Sequence, residues 1–470
     1  MRTSPLPRLV LVAAATIATA GCNVAAAPSP SAATPSGTAR AGSASTPSIT
    51  GGSPDTSDGG APAAWLVVGR AGEAGLHLVM ATTGEVAMDL PSGSPRSGTS
   101  WDRVMTATVV GDATIVSDTV IQPGLGGPEL RIDGHWRLPT VGLDPLPAGR
   151  SLDGSTVVVV EGAYDPARAR SRFAIVEHHL LDEVSTVSDA PLRLVRIVDL
   201  PGAFEYDTLS PDGRILYVVQ HLDGDAGGHY QVRAVDVATG IMRDGVIVDK
   251  TNVDETMAGS PIAQVRRADG LVLTLYRGPG HPFVHALNSK DAWAVCIDLP
   301  ADPTTAGTDD ATASLDWGMT SDTFVTSVYA VNASLGLALE IDPAGLTVRR
   351  SASIATSAAG PLPPSIVLAK FGHGDLGPVG RRVVAAPDGT ELFAAGAGGV
   401  TVIRSKDLTV VRTDLAGSSI DGLGITPDGG TLFALLRGSG QIVALDAATG
   451  RHLGTVPGAG YDRLLAVAPW

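Results

Sequence analysis

The sequence predicts an all-β domain: a β-propeller of about eight four-stranded blades, with seven as the alternative count, closed by a C-terminal strand that completes the first blade. Three observations predict it. No stretch from Trp65 onward has helical periodicity, and short runs rich in Val, Leu, Ile and Thr alternate with Gly, Pro and Asp turns. Two turn motifs recur, each followed by an apolar run. The first unit lacks one strand, and the chain's end supplies a matching one.

The N-terminus comes before the fold. Arg2 and Arg8 precede an apolar run, Leu9 to Ala20. That run is shorter than the roughly 20 apolar residues a membrane-spanning helix needs and suits the core of an export signal. It ends in Thr19-Ala20-Gly21-Cys22, which resembles the bacterial lipoprotein signal, with Thr19 where that family usually has Leu, Val or Ile. The resemblance implies cleavage after residue 21, lipidation of Cys22 and a cell-membrane location on the extracytoplasmic side. The alternative is an ordinary secretory signal that contains a cysteine. Residues 22–62 are almost wholly Ala, Ser, Thr, Pro and Gly. Such a segment buries too little apolar surface to offset the entropy of ordering it, and reads as a tether. The folded domain is expected over 63–470.

Three Pro-Asp-Gly turns punctuate that domain. Ser210-Pro211-Asp212-Gly213, Ala386-Pro387-Asp388-Gly389 and Thr426-Pro427-Asp428-Gly429 each precede an apolar strand, with weaker copies at Leu152-Asp153-Gly154 and Ala268-Asp269-Gly270. Proline pre-sets φ, aspartate bonds its own downstream backbone, and glycine accepts the left-handed conformation of a tight hairpin. About 25 residues later comes a second signal. Val235-Asp236-Val237-Ala238-Thr239-Gly240 and Leu445-Asp446-Ala447-Ala448-Thr449-Gly450 match closely, and Ile341-Asp342-Pro343-Ala344-Gly345 more loosely. One unit is therefore four strands, a propeller blade. The units fall at 65–90, 101–142, 143–202, 203–258, 259–305, 311–356, 379–416 and 417–458. The first opens on its outer three strands, and Tyr461 to Pro469 matches the missing innermost one. That closure ties the ends together and removes a free sheet edge.

These repeats resemble YVTN-type and quinoprotein-like propellers, most closely over 203–250 and 379–458. The resemblance implies fold more than activity. Pyrroloquinoline-quinone dehydrogenases carry A-x-D-x-x-T-G with tryptophan four residues after the glycine. Ala234 to Gly240 and Ala444 to Gly450 match the first part, but Asp244 and Gly454 stand at the tryptophan position. That family's alcohol dehydrogenases also use a vicinal cysteine pair. This chain has two cysteines in all, Cys22 and Cys296, so lipidation of Cys22 leaves Cys296 without an intrachain partner. No cofactor is expected. YVTN-like lactonases share the repeat chemistry, but no residue cluster here maps onto an active site. No G-x-S-x-G elbow, Walker loop or H-E-x-x-H occurs.

Seven residues upstream of the turn aspartates stand Glu205, Arg381 and Asp421. Aligning Pro469 with Pro211 adds Arg463, with Asp207, Arg382 and Asp462 as neighbours, and the second unit opens on Asp102 and Arg103. These nine charges at the starts of innermost strands are the candidate ligand site, a mixed-charge ring at one channel mouth. The alternative is a solvated rim of ordinary ion pairs. His281, His285, Cys296 and Asp298 are metal-ligating types, but a loop proline separates the histidines from helical spacing, and the cysteine alternates with apolar neighbours as a core residue would. His178 and His179 read as structural or surface residues. No metal is expected. A formal charge of −15 without a basic block makes nucleic acid a poor partner. The reading is a monomeric exported binding or scaffolding module for a small polar ligand or an unidentified protein. The alternatives are an exported lactonase-like or quinoprotein-like enzyme and a structural envelope protein.

Overall fold

The computed structural model describes residues 61–468, except 71–72, 74–75, 91–102, 125–126, 140–145, 153, 163–164, 166, 178–192, 223–228, 248–256, 278–281, 300–316, 355–380 and 459. Signal, Cys22 and most of the tether, Asp102, His178, His179 and His281 therefore lie outside the described residues.

Eight antiparallel sheets follow one another along the chain. Blade one is Trp65–Arg70, Leu76–Met80 and Val86–Leu90, with Tyr461–Val467 as its fourth strand, paired to Trp65–Arg70. The expected closure by the C-terminal strand is therefore present. In blades three to eight the strand order is the chain order, and the first strand is innermost: Leu146–Arg150, Phe204–Leu209, Ser260–Arg266, Trp317–Ser321, Val383–Ala385 and Ile420–Ile425. Blade four gains a short fifth strand, Met257–Ala258, on its third. Blade two departs from the four-stranded expectation among the described residues. Its segment goes into Arg103–Val110 and a long hairpin of 12 and 13 residues, Ala113–Gly124 and Gly127–Pro139.

The core is divided among the seams. Among the described residues eight hydrophobic clusters form, and each joins one blade to the next. Val67 and Leu465 of blade one pack with Ile121 of blade two, and Leu66 and Leu464 with Phe433 of blade eight. The ring is complete, and eight is the blade count. A four-stranded sheet in this ring buries both faces, which is why its central strands read as continuous apolar runs such as Ile215–His221 and Thr431–Leu436.

The turns behave as their chemistry dictates. Gly213, Gly389 and Gly429 have φ of 68°, 72° and 72°. Their N–H groups donate to Ser210, Ala386 and Thr426 carbonyls at 2.9, 2.8 and 2.8 Å. Asp212, Asp388 and Asp428 accept from the backbone N–H two residues on at 3.2, 3.0 and 2.9 Å. In the outer turns Asp236 and Asp446 each accept from both the N–H and the hydroxyl of the threonine three residues later.

A third recurrent feature joins neighbouring blades. Leu-Thr-Val-x-Arg occurs at 346–350 and 408–412, with a looser copy ending at Arg196. Arg350 on the outer strand of blade six donates to the Ser405 and Lys406 carbonyls in the outer turn of blade seven. Arg412 on blade seven donates to the Ala447 carbonyl in the outer turn of blade eight. On blade three Arg196 lies against Gly240, where an added Cβ would meet its Cδ at 2.8 Å.

Candidate functional site

All innermost strands run the same way along the channel, so their starts share one mouth. Those starts carry the predicted charges. Arg103 opens the innermost strand of blade two, and only its backbone is described. Glu205 and Asp207 lie on blade four, Arg381 and Arg382 just before Val383 on blade seven, Asp421 on blade eight, and Asp462 and Arg463 on the fourth strand of blade one.

These residues form three groups rather than one ring. On blade four Glu205 and Asp207 are buried, 6% and 2% exposed. A Glu205 carboxylate oxygen lies 3.1 Å from His221 Nε2, with both side chains closed to solvent. Behind them an aromatic stack continues into blade five: Tyr230 on Tyr276 at 5.3 Å, and Tyr276 on Phe283 at 5.1 Å. Burial holds both tyrosine hydroxyls well above their ordinary pKa, so they remain protonated.

On blade one Arg463 donates to Asp462 Oδ1 and to the Glu73 carbonyl, both at 3.0 Å. Its guanidinium lies across Gly69, where a Cβ would sit 2.3 Å from Nε, so a larger residue there would displace the Arg463 head group. Beside it, Arg70 covers the Tyr461 ring at 5.6 Å, and His77 sits between the carboxylates of Glu73 and Asp89 at 2.7 and 2.8 Å.

The third group spans blades seven and eight. Asp421 accepts from Arg437 Nε at 2.6 Å and faces Arg382 at 3.4 Å. Arg381 is anchored through its backbone: its carbonyl accepts from the Leu423 N–H at 2.8 Å. Leu423 is on the innermost strand of blade eight, whose other edge pairs with Thr431–Leu436. The chain at Arg381 is thus fixed to the channel-facing edge of the neighbouring blade. Its side chain is half-buried, and among the described residues it pairs with no carboxylate. Burial lowers its pKa from the ordinary value, yet a guanidinium stays charged throughout the physiological range.

His221 and Arg437 were not among the residues singled out from the sequence, although a signal for them exists. Each stands sixteen residues after its acid, one or two positions past the end of an apolar run, where a hairpin returns the chain to the same mouth. The metal-ligating types do not converge. His285 and Cys296 are cross-strand partners in the wall of blade five, and no group of three metal-binding side chains occurs among the described residues.

No family model matches the chain, and no curated protein matches it. Solved structures do align along most of its length. Apo AztD from Citrobacter koseri is 13% identical, with 87% of this chain and 98% of that one covered and a TM-score of 0.49. The periplasmic gluconolactonase PpgL of Pseudomonas aeruginosa is 13% identical, with 86% and 98% covered and a TM-score of 0.44.

Proposed function

We propose that this chain is an exported, lipid-anchored binding propeller that takes a small polar ligand at the channel mouth where its innermost strands begin. The observation that carries the reading is the gathering of charge at that mouth: Arg381, Arg382, Asp421 and Arg437 lie together on blades seven and eight, each partly exposed, where the two innermost strands begin. Exposed ion pairs contribute little to stability, whereas a preorganised polar mouth in a protein channel is a binding surface. In the expected arrangement the lipidated Cys22 and the tether of 22–62 hold the folded domain off the membrane.

A second reading, an exported propeller enzyme, is favoured by one observation. The Glu205 carboxylate lies 3.1 Å from the His221 imidazole, the pair of groups that general-base chemistry uses, and lactone hydrolysis would suit such a base. Both side chains are closed to solvent, which favours a wall-building role and ranks binding first.

A thermal-shift panel on the full chain tests both readings, with sugars, sugar phosphates, dicarboxylates, lactones and cell-wall fragments. Binding at 100 times Kd raises stability by roughly 2.7 kcal/mol. The proposal expects at least one small polar compound to shift the midpoint, and substitution of Arg381 or Asp421 to remove the shift. A uniformly flat panel overturns it. Turnover of a lactone that is lost in His221→Ala would establish the enzyme reading instead.

A further inference from the structure

Three blades carry a charged residue seven positions before the turn aspartate: Glu205, Arg381 and Asp421. In two of them the residue sixteen further on is its basic partner. Glu205 meets His221 at 3.1 Å, and Asp421 meets Arg437 at 2.6 Å. Blade seven inverts the pattern. The acid's place is taken by Arg381, and the partner's place by Ala397, a buried methyl group that can neutralise nothing. The nearby carboxylate on blade eight, Asp421, is engaged by Arg382 and Arg437. Among the described residues the Arg381 guanidinium is left without a counter-charge, on a backbone pinned to the channel edge by Leu423.

We propose that Arg381 is the anion receptor of this channel, and that the ligand presents a carboxylate or phosphate group to it. The inference rests on the binding reading above and names the ligand's chemical class. A partly desolvated cation without a partner is costly, and an arriving oxyanion relieves that cost while accepting two parallel N–H bonds from the planar guanidinium. Lysine, a point charge on a longer flexible stem, reproduces the charge without the fork.

The test is isothermal titration of the full chain, in chloride-free buffer, with inorganic phosphate, succinate and glucose as separate probes. Phosphate or succinate should bind, and whichever binds more tightly distinguishes the two oxyanion types. Arg381→Gln should weaken that binding roughly tenfold or more, the loss of a charge-assisted pair. Ala397→Glu supplies an internal counter-ion at the position that His221 and Arg437 occupy in the other blades. It should abolish anion binding with an unchanged far-ultraviolet circular dichroism spectrum. Arg451→Gln, on an exposed outer turn, should leave binding as it is. Anion binding that survives Arg381→Gln, or absence of binding by both anions, overturns the inference. Glucose binding without anion binding keeps the binding propeller and removes the anion receptor, whereas silence from these probes and from the thermal-shift panel removes both.

Discussion

Glu205 and His221 stand at the start of one strand and the end of the next in blade four, 3.1 Å apart and closed to solvent, and Asp421 and Arg437 repeat the relationship in blade eight at 2.6 Å. The hairpin explains the repetition. Both strands begin and end at the same mouth, so a fixed spacing of sixteen residues brings an acid and a base together. Removing one member leaves buried polar atoms of the other without this contact, which costs about 1–3 kcal/mol. His221→Ala and Glu205→Gln should each lower the unfolding midpoint strongly, and the double variant by less than the two losses combined. Additive losses in a double-mutant cycle would show that the pair is not coupled.

The closure of the ring gives a second prediction. Tyr461–Val467 is the innermost strand of blade one and contributes Leu464 and Leu465 to the seams on either side. Ending the chain at Gly460 should expose both seams and the inner edge of Trp65–Arg70, a site for edge-to-edge association. Light scattering should show aggregation, and adding the 461–470 peptide should suppress it. A truncated chain that stays monomeric and melts as the whole chain does would refute the closure.

Two glycines separate backbone strain from packing. Gly389 and Gly450 both have φ of +72°, but an added Cβ meets nothing within 4 Å at Gly389, whereas at Gly450 it would sit 2.1 Å from Asp414 Oδ1. Gly389→Ala should cost only the left-handed penalty, roughly 1–2 kcal/mol. Gly450→Ala should cost more, because Asp414 is itself held by Arg412 at 3.0 Å and cannot easily retreat. Equal losses in urea denaturation would contradict the packing argument.

The arginines that link blades should not tolerate lysine. Arg412 reaches the Ala447 carbonyl while also holding Asp414, and Arg350 serves the Ser405 and Lys406 carbonyls while holding Glu340. Lysine cannot satisfy two directions with one planar group. Arg412→Lys and Arg350→Lys should each lose about 1–3 kcal/mol, the loss of a charge-assisted bond, measured by denaturant midpoint. Variants within a few tenths of the parent would show these contacts to be ornamental.

Acid should loosen the turns. The Asp236 and Asp388 carboxyls are held below their ordinary pKa chiefly by backbone N–H donors from Thr239 and Thr390, and Asp428 and Asp446 chiefly by the hydroxyls of Thr426 and Thr449. A folded-state pKa below the unfolded value means stability that is complete above the unfolded value and lost as pH falls through the folded one. The melting midpoint should therefore be flat near neutrality from this source and drop below about pH 4. Asn at 236 and 446 should reduce the drop. A midpoint indifferent to acid would contradict the role of these turns.

Much of this architecture was legible because the turns carry their own chemistry. Pro-Asp-Gly and Asp-x-x-Thr-Gly fix the hairpins through bonds within a few residues, so the blades from 203 onward and the closure at Tyr461 could be read without tertiary information. Blade two has no such turns, and its long hairpin, Ala113–Gly124 with Gly127–Pro139, could not be told from shorter strands. The charged positions were found by alignment on the turn aspartate, but their partners were not, because the pairing of Glu205 with His221 depends on the strand register. The isolation of Arg381 needed both: its position was legible, and the significance of Ala397 emerged only once blades four and eight showed what belongs there.

The most direct test of the account is a crystal structure grown with selenate, whose anomalous scattering marks an oxyanion. Anion capture by Arg381 predicts a peak beside its guanidinium, absent in Arg381→Gln crystals. Selenate found only at arginines on the outer surface, with none at the channel mouth, would contradict it.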